Sequence, residues 1–129
     1  MAGSNRSALV LAALLGAAGV THFAIPEPYD AIVPRLLPGP ARWWTYASGL
    51  AEMGVAAAIA IPPTRKAGGC AAAALFAAVF PANVQMAIDW RERPLPLRAA
   101  AWGRLPLQLP LIWWALKASR PADRRRCGR

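Results

Sequence analysis

Six polar side chains stand inside otherwise apolar stretches of this chain: His22, Glu52, Asn83, Gln85, Arg104 and Gln108. Their types suit ligand binding and proton exchange. An imidazole and a carboxylate can relay a proton, while three amides and a guanidinium can hydrogen-bond a carbonyl oxygen. Arg104 and Gln108 are spaced four apart and share one helix face. An arginine held in a bilayer costs roughly 2.5–3.5 kcal/mol even on lenient insertion scales. It is therefore expected to face the protein interior and meet a carboxylate. Of the six acidic residues only Glu52 lies deep in an apolar segment, so Glu52 and Arg104 form the expected pair. Nothing resembles a nucleotide site, a hydrolase triad or a metal-ligand set, so no catalytic residue and no metal ligand is assigned.

The elements that must position these groups are apolar blocks. The chain of 129 residues is 57% hydrophobic, above the roughly 45–50% of soluble domains. Four blocks approach spanning length, at about 8–25, 43–61, 67–88 and 99–117. The fold class expected is all-α: an integral-membrane four-helix bundle, polytopic, over residues 1–117, followed by a basic mobile tail at 118–129. The competing reading of the first block is a cleaved signal peptide, with Arg6 as its charged region and Gly16-Ala17-Ala18-Gly19 as small residues. The block continues past those residues to His22 and Phe23, which favours a retained helix.

Residues 26–42 contain five prolines and read as an interfacial loop or short amphipathic piece. Pro81 predicts a kink in the third block, and Pro106 and Pro110 free backbone carbonyls in the fourth. Trp43, Trp44 and Tyr46 suit headgroup level, and Ser48, Gly49, Ala51, Gly54 and Ala58 permit close helix packing. Counting from the outer helix ends puts Glu52 roughly 13 Å deep, Arg104 roughly 9 Å and Gln108 roughly 15 Å, at about 1.5 Å per residue. All four blocks then contribute polar groups to one layer in the outer half of the membrane.

The net charge of +9 would suggest nucleic acid in a soluble protein. Here the basic residues lie between and after the apolar blocks, so membrane orientation and lipid phosphate account for them and no nucleic-acid partner is expected. Lys and Arg are more numerous on the side of the termini, which places both termini in the cytoplasm. Cys70 and Cys127 form no paired motif. Cys70 reads as a small packing residue and Cys127 as a solvated thiol. The polar residues have a plain structural reading too. Glu52 and Arg104 would lock helix register, Asn83 and Gln85 would bridge helices, and His22 would be a hydrogen-bonded interface residue.

A set of short motifs resembles the DoxX-like family of small membrane proteins. They are His22-Phe23, Val33-Pro34-Arg35-Leu36-Leu37-Pro38, Ser48-Gly49-Leu50-Ala51-Glu52, Pro63-Thr64-Arg65, Phe80-Pro81-Ala82-Asn83-Val84-Gln85-Met86-Ala87 and Arg104-Leu105-Pro106-Leu107-Gln108. The resemblance covers residues 22 to about 114. It implies a four-helix bundle in the bacterial inner membrane, multi-pass, associated with redox complexes. No catalytic residue carries over from it. The function expected is a redox-associated subunit that binds a quinone or similar lipophilic molecule at the polar layer, with a possible protein partner in a membrane redox complex. The alternatives are a non-enzymatic scaffold for a partner protein and a small transporter.

Overall fold

The computed structural model of the protein describes residues 2–120. The expectations for 121–129, Cys127 among them, lie outside those residues. Among the described residues the structure is all-helical, with no strand. The helices are α1 (Ala2–Ala24), α2 (Glu27–Asp30), α3 (Ala41–Ala60), α4 (Arg65–Ala78), α5 (Phe80–Asp89) and α6 (Leu95–Ala118), with a 3-10 turn at Pro62–Thr64.

Proline sets most of the boundaries. It cannot donate a backbone hydrogen bond, and it forces the preceding residue toward extended geometry. Ile61, before Pro62, sits at φ −84° and ψ 116° and ends α3. The entry to α3 runs through Pro38-Gly39-Pro40, where Gly39 takes φ +83°, a left-handed conformation suited to glycine. The third apolar block divides into α4 and α5 at Val79, two residues before Pro81. By contrast α6 runs unbroken through Pro106 and Pro110. The end of α3 is capped by Arg65, whose Nε donates to the Ile59 carbonyl at 2.8 Å and Nη2 to that of Ala60 at 3.2 Å. These are terminal carbonyls that no later helical N–H can reach.

Helix α1 packs along α3, α3 against α4, and α4 against α6, with α5 lying on α6 and α1 touching α6 lightly. This leaves α3 and α6 across from each other. Glycines permit three of the approaches. A Cβ at Gly49 would fall 2.7 Å from the His22 Cβ, one at Gly68 2.7 Å from the Ile59 backbone nitrogen, and one at Gly69 2.6 Å from the Ser119 Cβ.

The interior is built from small residues and the exterior from large ones. Of the thirteen buried apolar side chains among the described residues nine are alanine: Ala8, Ala12, Ala56, Ala72, Ala73, Ala87, Ala101, Ala115 and Ala118. Leu9, Leu14, Val20, Leu50, Leu107, Leu109, Trp113 and Leu116 point outward. Among the described residues, two helical stretches are long and apolar enough to cross a membrane: Asn5–Ala24, with mean hydropathy 1.8, and Pro62–Asp89, with 1.7. Only 33% and 17% of their most apolar windows are buried, whereas the core helix of a soluble protein would be mostly covered. Helices α3 and α6 do not meet the same measure of apolarity; both include charged residues, Arg42 and Glu52 in one and Arg98 and Arg104 in the other.

Candidate functional site

The expected single polar layer separates into two clusters on different helix pairs. The first joins the end of α1 to the middle of α3. His22 Nδ1 lies 2.8 Å from the Ala18 carbonyl oxygen in the preceding turn. A carbonyl only accepts, so Nδ1 holds the proton in this arrangement. The same nitrogen is 3.6 Å from Glu52 Oε2, close enough for Coulombic attraction but beyond a hydrogen bond. Glu52 Oε2 is buried and has no hydrogen-bond partner. Both residues are more than nine-tenths covered or nearly so, at 7% exposure for His22 and 9% for Glu52.

A strap formed by α2 closes over this pair. The Tyr29 ring stacks on the His22 imidazole, with centroids 3.7 Å apart. Its hydroxyl lies 2.6 Å from Thr21 Oγ1. The next residue, Asp30, is held from α3: Arg42 Nε donates to Oδ2 at 2.7 Å and Thr45 Oγ1 to Oδ1 at 2.6 Å. Arg42 also lies 3.6 Å from Glu27. Beside the strap, Phe23 and Tyr46 stack with centroids 4.9 Å apart. Thus the loop expected at 26–42 is pinned at its first helix by two adjacent residues, one facing each long helix. Sequence reasoning missed Tyr29, Asp30, Thr45 and Thr21 as site residues. The available signal was Asp30, a carboxylate inside an apolar linker, with Arg42 twelve positions on.

The second cluster joins α5 to α6. Asn83 Nδ2 donates to Gln108 Oε1 at 3.1 Å, and Gln108 Nε2 donates to the Phe76 carbonyl in the last turn of α4. Both side chains are buried, at 8% and 5% exposure. The break at Val79 disturbs the backbone ladder, and Gln108 supplies a donor there. The clasp joins three helices with its donors and acceptors matched. Replacing Gln108 with leucine strands the Asn83 amide and the Phe76 carbonyl. A loss of about 1–2 kcal/mol is expected, the scale of leaving a buried polar group without its partner, read as a lower unfolding midpoint. An unchanged midpoint contradicts the clasp.

Two expected members do not join either cluster. Gln85 donates to Asp89 Oδ2 at 2.9 Å on its own helix, at the exposed end of α5. Arg104 is exposed and has no carboxylate within salt-bridge distance among the described residues. Its expected pairing with Glu52 is therefore corrected, and the cause is topological. Glu52 is on α3, whose neighbours are α1 and α4, while Arg104 is on α6 across the molecule. Cys70, expected to pack inside, is likewise exposed.

No curated protein and no solved structure matches the chain. A family model does match it, and the family is not the DoxX-like one that the short motifs resemble. Those motifs are prolines, glycines, aromatics and isolated polar residues at helix ends and crossings. Membrane-type helices need such residues for packing and chain reversal, whatever their descent. The redox association drawn from the resemblance loses its support with it. The matching model spans residues 11–119, nearly all of the described helices, and the chain belongs to the family described as Domain of unknown function (DUF8561).

Proposed function

We propose that this chain is a four-span protein of a cytoplasmic membrane that binds a lipophilic molecule bearing a carbonyl or hydroxyl group at the His22–Glu52 pair. A quinone or quinol is the type case. The spans are α1, α3, α4 with α5, and α6. The large outward apolar side chains support this, because water would penalise them and lipid would not. Arg104 is the costliest residue in this arrangement. It lies nine residues after Leu95, and its long side chain can reach from there toward headgroup level. By sequence, nine Lys and Arg residues belong to the segments on the side of the termini and five to the other, a bias that supports cytoplasmic termini.

The observation that carries the binding site is the orphaned Glu52 Oε2. A buried carboxylate oxygen without a donor is costly. A ligand hydroxyl would donate to it, and a protonated Glu52 would donate to a ligand carbonyl, so both redox forms of a quinone have a partner there. Tyr29 of the strap, with the Phe23 and Tyr46 rings beside it, offers flat apolar surface near the pair.

Mass spectrometry of gently purified protein, beside Glu52→Gln, tests this. Wild type is expected to retain a quinone or similar ring compound that the variant loses. A wild type that carries none, and takes up none when reconstituted with ubiquinone in nanodiscs, defeats the reading. A second reading is a non-enzymatic scaffold, favoured by the fully matched Asn83–Gln108–Phe76 clasp. An empty protein that brings down one partner in stoichiometric amount selects it.

A further inference from the structure

Three contacts gather the start of α1, the start of α4 and the end of α6 at one end of the molecule. Arg65 Nη1 donates to Asn5 Oδ1 at 2.9 Å. Trp114 Nε1 donates to Ser7 Oγ at 2.7 Å. A Cβ on Gly69 would fall 2.6 Å from the Ser119 Cβ. This end therefore carries Arg6, Arg65, Lys66, Lys117 and Arg120. The described acidic residues, Glu27, Asp30, Glu52, Asp89 and Glu92, all lie on the segments of the other end or at mid-helix. Arg65 is occupied in capping α3 and holding Asn5. Arg6, Lys66, Lys117 and Arg120 are exposed, and none has a carboxylate partner among the described residues.

The wall just beneath these cations is apolar. Leu9, Val10, Trp113 and Leu116 are exposed within one or two turns of them. Lys117 Nζ stands 4.8 Å from the Trp113 ring centroid, which fixes one cation on an outward indole. An occupant must offer negative charge at the rim and apolar surface immediately below. Inorganic phosphate and nucleic acid supply only the first. An anionic phospholipid supplies both, with its phosphate at the rim and its acyl chains on the wall.

We infer that this end is a binding surface selective for anionic phospholipid headgroups, made by Arg6, Lys66, Lys117 and Arg120 above the Trp113 wall. The inference rests on the membrane reading but not on the quinone site. Its test is native mass spectrometry of the full chain, delipidated in mild detergent and offered equal amounts of phosphatidylglycerol and phosphatidylcholine. Wild type is expected to retain phosphatidylglycerol in preference. Each of Lys66→Gln, Lys117→Gln and Arg120→Gln is expected to lower that preference by up to roughly fivefold at low ionic strength, with 0.5 M salt acting in the same direction. Equal retention of the two lipids overturns the inference, as does a preference that survives the combined substitutions in a protein of unchanged circular dichroism. Single substitutions decide the matter if the combined variant does not fold. Displacement of the lipid by millimolar inorganic phosphate also overturns it, by showing a free-anion site. Carbonate extraction of the same protein separates the two failures. Protein that stays in the membrane but shows no lipid preference defeats this inference alone, and protein that is released defeats the membrane reading.

Discussion

Gly49→Val will separate α1 from α3 and leave a protein that no longer folds to a single species. The first atom of any side chain at position 49 would lie 2.7 Å from the His22 Cβ, 2.8 Å from the Phe23 ring and 3.0 Å from the Gly19 carbonyl oxygen. The last of these is backbone and cannot rotate away. Gly19 returns the constraint, since its own Cβ would fall 2.8 Å from the Gly49 carbonyl oxygen. Alanine alone should cost about 1–3 kcal/mol, the usual price of overpacking, and the branched valine more. Gly54→Ala is the control, with nothing within 4 Å of the added carbon. It should leave the fold intact and raise stability by up to about 1 kcal/mol, because glycine is a poor helix former. Denaturant titration in detergent, followed by circular dichroism and elution volume, compares the three. If Gly49→Val melts with wild type, the α1–α3 crossing described here is wrong.

Glu52→Gln should remove ligand retention by more than tenfold while leaving the fold as stable as wild type or more so. The two halves of this prediction have one cause. The carboxylate makes no hydrogen bond through Oε2 and stands 3.6 Å from His22, too far to be repaid in full for its burial. A neutral amide of the same shape escapes the cost of desolvating a charge. Residues kept at a cost in stability are commonly those that act on a ligand. Unfolding midpoints and retained-ligand mass, measured on the same preparations, check both halves. A fall in stability of more than about 2 kcal/mol would instead make Glu52 a structural partner of His22, since breaking a well-made buried pair has that scale of effect.

How far these features were legible in the sequence depended on whether local chemistry or helix neighbourhood decided them. The boundaries at Ile61, Pro40 and Val79 follow from proline, whose constraints act within a few residues, and they were readable. The partner of Glu52 was not. Neither α1 nor α6 gathers its apolar residues on one face, so no stripe marks which face turns inward or which helix lies beside which. Arg104 and Gln108 share a face by their spacing, yet Gln108 is buried and Arg104 exposed, because Gln108 meets the break between α4 and α5 while Arg104 stands nearer the end of its helix. Tyr29 and Asp30 were hidden for another reason. A four-residue helix between prolines has no periodicity to read, and its importance comes from reaching His22 on one side and Thr45 on the other.

Under the proposed membrane placement, the alanine interior reverses the ordinary pattern of substitution. In a water-soluble domain the surface drifts freely in polarity while the core holds its oiliness. Here the outer positions, such as Leu14, Leu50 and Leu109, should accept one another's side chains at will but resist any charge. Ala72, Ala101 and Ala115, almost fully enclosed, should resist every larger residue, whatever its polarity. Members of this family that have diverged beyond easy alignment are therefore best sought by the size of the residue at each inner position. A saturation library scored for membrane-inserted, folded protein would show that reversal as two separate tolerance maps, one governed by polarity and the other by volume.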